Sequence, residues 1–199
     1  MNKTKTKGEQ THDGIVDAAH SLFVKQGYHG TSMRQIALDA NIALGGIYNH
    51  FKNKEEIFRE VFFAYHPYND VLPALESIEG STIEEIVHDG ALRMVDAFNA
   101  RPDFLNLMFI EYVEFKNVHT KELVDIVVPR GMNIIKQLKD SKGKLRDIPL
   151  PIFIRAFIGF FLSYYLTDVM MHEWSYEAFK EKAMEHFIMI FLHGVLSDE

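Results

Sequence analysis

Apolar residues recur along this chain at intervals of three and four, and no stretch carries the alternation of a strand, so the pattern predicts helices throughout. Ile15, Ala18, Ala19, Leu22 and Phe23 make one stripe of a first helix over residues 11–26, with Gly27 as its stop. Thr31 is placed to cap a second helix carrying Ile36, Ala37 and Ala40, and Asn41 follows where the chain must turn, being a residue that tolerates the left-handed conformation. A short third helix sets Ile47 and Phe51, four apart, toward the core and turns Leu44, Tyr48 and Asn49 outward. Asn53, with Glu56 completing an Asn-x-x-Glu box, caps a fourth helix that buries Ile57, Phe58, Val61, Phe62 and Tyr65, ends before Pro67 and links head to body.

Residues 67–80, with Pro67, Pro73 and Gly80, read as irregular. Ser81-x-x-Glu84 is a capping box for a helix to about Ala100 whose apolar members are Ile83, Ile86, Val87, Met94, Val95 and Phe98. Pro102 opens the next, to about Phe115, and a seventh runs from about Thr120 to Asp140 with Pro129 expected to kink or split it. Lys142-Gly143 begins a loop closed by Pro149 and Pro151; an eighth helix reaches about His172, and Ser175 caps a ninth ending near Leu196. The expected fold is all-α, with about nine helices: a three-helix helix-turn-helix head and a larger helical body. The corresponding divisions are a flexible basic arm at 1–10, a head at 11–54 and a ligand-binding and dimerisation body at 55–199.

The eighth helix forces a decision, because Ile152 to Met171 is twenty residues long and mostly apolar. Arg155 and Asp168 leave only twelve uncharged residues between them, too few for a hydrocarbon core of about 30 Å. A helix apolar on all sides is then buried on all sides, against its own body and a second copy. No membrane partner is expected.

Composition changes the picture at two points. The chain has 199 residues, 47% of them hydrophobic, enough for a sizeable core, and no cysteine, which excludes disulfides, thiolate zinc sites and thiol catalysis and fits a reducing cytoplasm. Its N-terminal lysines lack the apolar run of a signal peptide. The net charge of −7 is unevenly placed: residues 1–54 hold seven Lys/Arg and four Asp/Glu, or +3, leaving −10 for the remainder. An acidic body would help orient a basic head toward DNA.

Within the head, Gly45-Gly46 costs a short helix about 1 kcal/mol per residue relative to alanine, which points to something approaching the backbone closely. Lys54 in the first turn of the fourth helix opposes the helix dipole unless it holds an anion together with the free amides, and phosphate is the obvious candidate. The segment from about Ile15 to Phe58, with Ala18-Ala19-x-x-Leu22-Phe23, Gly27-Tyr28, Thr31-Ser32, Ile36-Ala37, Gly45, Ile47-Tyr48, Phe51-Lys52-x-Lys54-Glu55 and Ile57-Phe58, resembles the DNA-binding domain of the tetracycline-repressor (TetR) family. The resemblance implies phosphate contacts at Thr31, Tyr48 and Lys54, with Lys52 and His50 as weaker candidates, and a dimer built on a four-helix bundle of the last two helices. For base reading, Arg34 suits guanine and Asn49 adenine, while Leu44 and Ala43 can touch only a thymine methyl. Asn41 stands where the family usually has glycine, and Leu44 and Gly46 leave the polar readout thin.

Ten histidines raise the question of a metal, but no His-Glu-x-x-His occurs and His172-Glu173, His186 and His193 lack ligand spacing, so no metal and no cofactor is expected. No nucleophile or phosphate-loop motif marks an enzyme. Tyr65, Met94, Phe98, Met108, Tyr112, Phe161, Tyr164 and Tyr165 could line an adaptable effector pocket, with Glu111 and Arg155 as charged handles of opposite sign or as partners of each other. The sequence therefore reads as a dimeric, ligand-responsive repressor of a palindromic double-stranded DNA operator, released by a small-molecule effector. A small-molecule binding or sequestering protein with weakened sequence-specific DNA binding is the alternative.

Overall fold

The computed structural model describes residues 5–78, 80–141, 146–170 and 177–195, and no strand occurs among them. Ten helices are present among the described residues: α1 (Lys7–Gly30), α2 (Met33–Asp39), α3 (Leu44–Ile47), α4 (Lys54–Tyr65), α5 (Tyr68–Glu76), α6 (Ile83–Asn99), α7 (Phe104–Phe115), α8 (Val118–Asp140), α9 (Leu150–Met170) and α10 (Glu177–Val195). The fold is all-α, as the pattern predicts. The end of the eighth expected helix at His172 and the Ser175 cap lie outside the described residues.

Five features depart from the expected ones, most of them for a local reason. Helix α1 starts at Lys7 because Thr6 and Glu9 make a reciprocal box, Glu9 N–H donating to Thr6 Oγ1 and Thr6 N–H to Glu9 Oε2, which carries helix into the arm expected at 1–10. Ser32 with Gln35 caps α2 in place of Thr31, and Thr82 with Glu85 caps α6 in place of Ser81 with Glu84. Helix α5 occupies residues expected to be irregular; Pro67 precedes it, where a missing N–H costs nothing, and its carbonyl accepts from Asp70 and Val71 at 2.9 and 2.8 Å. Helix α8 continues through Pro129 instead of splitting there.

The chain forms two compact units. The first comprises residues up to His66 together with Arg101–Ile126, so it takes in α4, α7 and the start of α8 as well as the expected head. Its core is Ile15, Ala19, Phe23, Ile36, Ile47, Ile57, Phe58, Val61, Phe62 and Leu107. Gly27, at φ 75° and ψ 173°, breaks α1 before its last turn, and since an added Cβ there would meet nothing within 4 Å, glycine is required for its conformation alone. His66, packed against Phe62 and Phe104, is pushed by burial down to about 4 and stays neutral.

The corner between α7 and α8 is wound around Glu111, which is 0% exposed. Its backbone carbonyl accepts from Lys116 N–H, while its carboxylate accepts from the amides of His119 (2.8 Å) and Thr120 (3.1 Å) and pairs with His119 Nδ1 at 2.7 Å. Lys116 and Asn117 are both left-handed, at φ 55° and 64°, an unfavourable pair for non-glycine residues that these bonds hold in place. Phe115 thereby stacks on Phe58 at 4.6 Å and His119 lies 5.0 Å from Phe115. Arg59 of α4 reaches Glu122 of α8 with two guanidinium donors.

The second unit holds Pro67–Ala100 and the chain from Val127 on. Helix α6 is its centre, burying Ile83, Ile86, Val87, Ala91, Met94 and Phe98. A Cβ at Gly90 would come within 3.2 Å of Ile78 and 3.4 Å of Phe157, so close packing demands glycine in mid-helix. Phe153, Phe157, Phe160 and Phe161 of α9 each pack on Phe191 of α10 at 5.7 Å. Among the described residues α9 is long and apolar enough to cross a membrane by length and composition. Its exposed positions include Ile152, Ala156, Gly159, Ser163 and Thr167, a seam of mostly small residues at helical spacing.

Replacing Glu111 by alanine strands His119 and two amides that have no other acceptor in the corner. The expected loss is about 3–5 kcal/mol of unfolding free energy by urea titration. A loss below about 1 kcal/mol would show that water replaces the carboxylate and that the corner does not depend on it.

Candidate nucleic-acid interface

Helix α2 begins where Ser32 N–H donates to Gln35 Oε1 (2.9 Å) and Gln35 N–H returns to Ser32 Oγ (3.3 Å). Ile36 and Ala37 are buried beneath it, which leaves Arg34 and Leu38, four residues apart, on the outer side. Asn41 makes the turn at φ 55°, as its chemistry predicts, and Ile42 N–H closes it on Ala37 O at 2.9 Å. Helix α3 is a single turn with no side-chain cap, too short to persist on its own. Buried Ile47 and Phe51 anchor it.

This anchoring turns a row of side chains outward. Ala43, Leu44 and Asn49 are exposed, Tyr48 is 53% exposed, and His50 is part-exposed. Gly45 and Gly46 have ordinary φ, and a Cβ on either would meet nothing within 4 Å. Neither backbone conformation nor packing among the described residues requires glycine there. Lys52 is exposed and only loosely paired, 4.0 Å from Glu56.

Two expected phosphate ligands are placed differently. Thr31 is 2% exposed; its hydroxyl donates to Gly27 O at 2.9 Å and stabilises the break in α1, so it does not face a backbone phosphate. Lys54 turns inward as well, donating to Tyr28 O (2.6 Å) and Thr31 O (2.7 Å) with Nζ 4.0 Å over the Tyr28 ring. Burial lowers its pKa, with Glu114 opposing. The conflict between Lys54 and the α4 dipole is thus resolved by two carbonyls of α1's end, and only one of three ammonium N–H groups remains for a phosphate. The Asn53 cap is as expected, but Glu56 reaches back to Lys52 N–H, one residue before the cap.

The residues expected to line an effector pocket belong partly to the first unit and partly to the second. Tyr65 donates to Asp17 at 2.7 Å and stacks on His20 at 3.6 Å, which ties the end of α4 to α1 and raises its hydroxyl to about 12, chiefly through burial. Glu111 is committed to the α7–α8 corner and to His119, not to Arg155, which is exposed on α9. Tyr112 is 65% exposed and Met108 part-buried, both in the first unit. In the second, Met94, Phe98, Phe161 and Tyr165 are core, with Phe98 and Tyr165 rings 5.3 Å apart, and Tyr164 packs on Phe187 at 5.0 Å. A groove of about 340 Å³ lies elsewhere in that unit, lined by Glu84, His88, Glu185, Ile188, Met189, Leu192 and His193.

Leu38 is absent from the expected contacts yet is 79% exposed beside Arg34. Its position off the Ile36–Ala37 stripe is legible as an apolar residue on the polar side of α2. A surface leucine there adds an apolar contact for a thymine methyl or a sugar.

The family model for bacterial regulatory proteins of the tetR family matches residues 15–61. The HTH-type transcriptional regulator SrpR of Pseudomonas putida is 38% identical over 163 residues, 80% of this chain and 73% of its own length. YvkB of Bacillus subtilis, an uncharacterized HTH-type transcriptional regulator, is 26% identical over 190 residues, 94% of this chain and 98% of its own. The crystal structure of a TetR family transcription regulator from Marinobacter aquaeolei superposes with a TM-score of 0.71 at 16% identity, covering 96% of this chain and 98% of the other.

If Lys54 is mainly a clasp, Lys54→Ala lowers the unfolding free energy by about 1–2 kcal/mol, a modest figure because the ammonium is part-exposed. Thermal and urea unfolding measure this. Unchanged stability, with a salt slope of DNA binding lower by about 1 per head, would return Lys54 to the phosphates.

Proposed function

Because the chain belongs to the tetR family of bacterial regulatory proteins, we propose that it represses transcription as a homodimer on a palindromic operator and releases it when a small molecule enters the second unit. The protein is a transcriptional regulator and not an enzyme. The observation that carries the operator reading is the outer row of the head: Arg34, Leu44, Tyr48 and Asn49 stand clear of the core around two glycines that nothing among the described residues requires. Tyr48, His50 and Lys52 set register on the phosphates; Arg34 and Asn49 read base edges, and Ala43, Leu44 and Leu38 meet thymine methyls. With few polar readers, each half-site is specified at few base pairs.

The dimer reading rests on α9. A helix so apolar, with Ile152, Ile158, Val169 and Met170 exposed along it, needs a covering surface, and Met189 and Ile190 of α10 are exposed as well. Ala156, Gly159, Ser163 and Thr167 allow a second helix to approach at the short end of the usual 8–10 Å separation. A charge at Phe160 or Phe161 would test stability rather than assembly, because Phe161 is fully buried and Phe160 packs on Phe187 and Phe191.

Duplexes from upstream of the protein's own gene should be retarded in preference to scrambled ones, and Arg34→Ala should relax the preference at one base pair per half-site by about 1–3 kcal/mol. Equal affinity of the wild type for both duplex sets would sink the operator reading.

Gly159→Glu improves helix propensity, and a Cβ at that position meets no atom within 4 Å. It should keep wild-type helicity while sedimenting as a monomer, since a charge buried in the interface costs about 3–5 kcal/mol. A folded dimer would move the interface away from this seam.

A further inference from the structure

On the rim of the head, beside the outward row, two imidazoles stand together. His12 of α1 and His50, in the loop between α3 and α4, meet edge to face with ring centroids 6.3 Å apart. Phe51, itself buried, supports His12 at 4.7 Å and so fixes where the ring sits. Both imidazoles remain part-exposed, and they flank the exposed Tyr48, Asn49 and Lys52.

The charged groups around the pair leave room for an anion. Asp13 Oδ1 lies 3.7 Å from His12 Nδ1, but the same carboxylate is held at 2.6 Å by Lys5, which keeps Asp13 below the usual carboxylate range. Lys5 offsets the Asp13 charge, with Glu9 and Asp17 also acting on that lysine, so a proton gained by His12 shifts the corner toward positive. From the α3–α4 loop, His50 faces the ring, with Lys52 two residues on.

We propose that His12 and His50 form one proton-dependent phosphate site, so that the head's grip on a DNA backbone strengthens as pH falls through the imidazole range. The site rests on the reading of the head as DNA-binding. A neutral imidazole offers one N–H and one lone pair, whereas the imidazolium offers two N–H donors. An N–H···O contact places the oxygen about 4 Å from the ring centre. Centroids 6.3 Å apart lie within twice that distance, so one oxygen between the rings meets the distance requirement of both. Two charged rings this close repel, so one proton per head is taken up on binding. The site favours the charged form, so affinity is gained as pH falls and lost as pH rises.

The phosphate contact carries no sequence information, so the probe is a mixed-sequence duplex at about 50 mM salt, titrated with full-length protein from about pH 5.5 to pH 8. Wild-type affinity should fall about tenfold per pH unit per head across the steep part of that range. His12→Gln should flatten the slope, and His12→Lys should give strong binding at pH 8 with little remaining slope; far-UV circular dichroism establishes that each variant is folded. A wild-type slope retained in either folded variant overturns the proposal and leaves DNA binding standing. Should His12→Gln fail to fold, the lysine variant decides. A wild type that binds no duplex at any pH overturns both this site and the DNA-binding reading.

Discussion

A single carboxylate, sealed from water, holds the first unit in shape. Glu111 joins α7 to α8 by accepting from the residues that follow the turn, and this allows two left-handed residues in succession without a glycine. Burying a charge is costly unless it is paired and hydrogen-bonded, and here His119 and two amides supply both conditions. The corner sets Phe115 against Phe58 and, at 4.9 Å, against Tyr28. Tyr28 in turn lies beneath Lys54, and its carbonyl, with that of Thr31, holds the start of α4. A chain of contacts thus runs from a buried acid to the residues that introduce α2 and orient α3.

Helix α4 is braced along its whole length. Its first residue is tied to the end of α1, its middle to α7 and α8 through Phe58 and Arg59, and its last to the middle of α1 through Tyr65 and Asp17. His29 and Glu114, 2.6 Å apart, add a direct link between the broken end of α1 and α7. Such bracing suits a surface that must hold a one-turn helix steady, because α3 has neither the length nor a cap to do so alone.

Much of this was legible in the sequence. Helical periodicity placed most of the helices, and Asn41 and Gly27 announced their own left-handed geometry. Caps slipped by one residue at Thr31-Ser32 and at Ser81-Thr82 because adjacent hydroxyls compete for the same role, and only packing decides between them. Two prolines hid α5, although one of them precedes the helix where it does no harm. Lys54 is legible as a cation in conflict with a dipole, but its partners lie more than twenty residues away and no local pattern points to them. The corner role of Glu111 is hidden for a related reason: it comes from a turn whose conformation no glycine advertises. The aromatic and methionine set read as pocket-lining is divided between two units, a separation that composition cannot express.

The first unit is assembled from two separate stretches of chain, with α5 and α6 inserted between them. Inheritance of the head is therefore not a matter of one boundary. An exchange of only the N-terminal third would set a new Tyr28, His29, Phe58 and Arg59 against an old Phe115, Glu114 and Glu122. A grafted head keeps these contacts only when the stretch around Glu111 is carried along with the helices it supports.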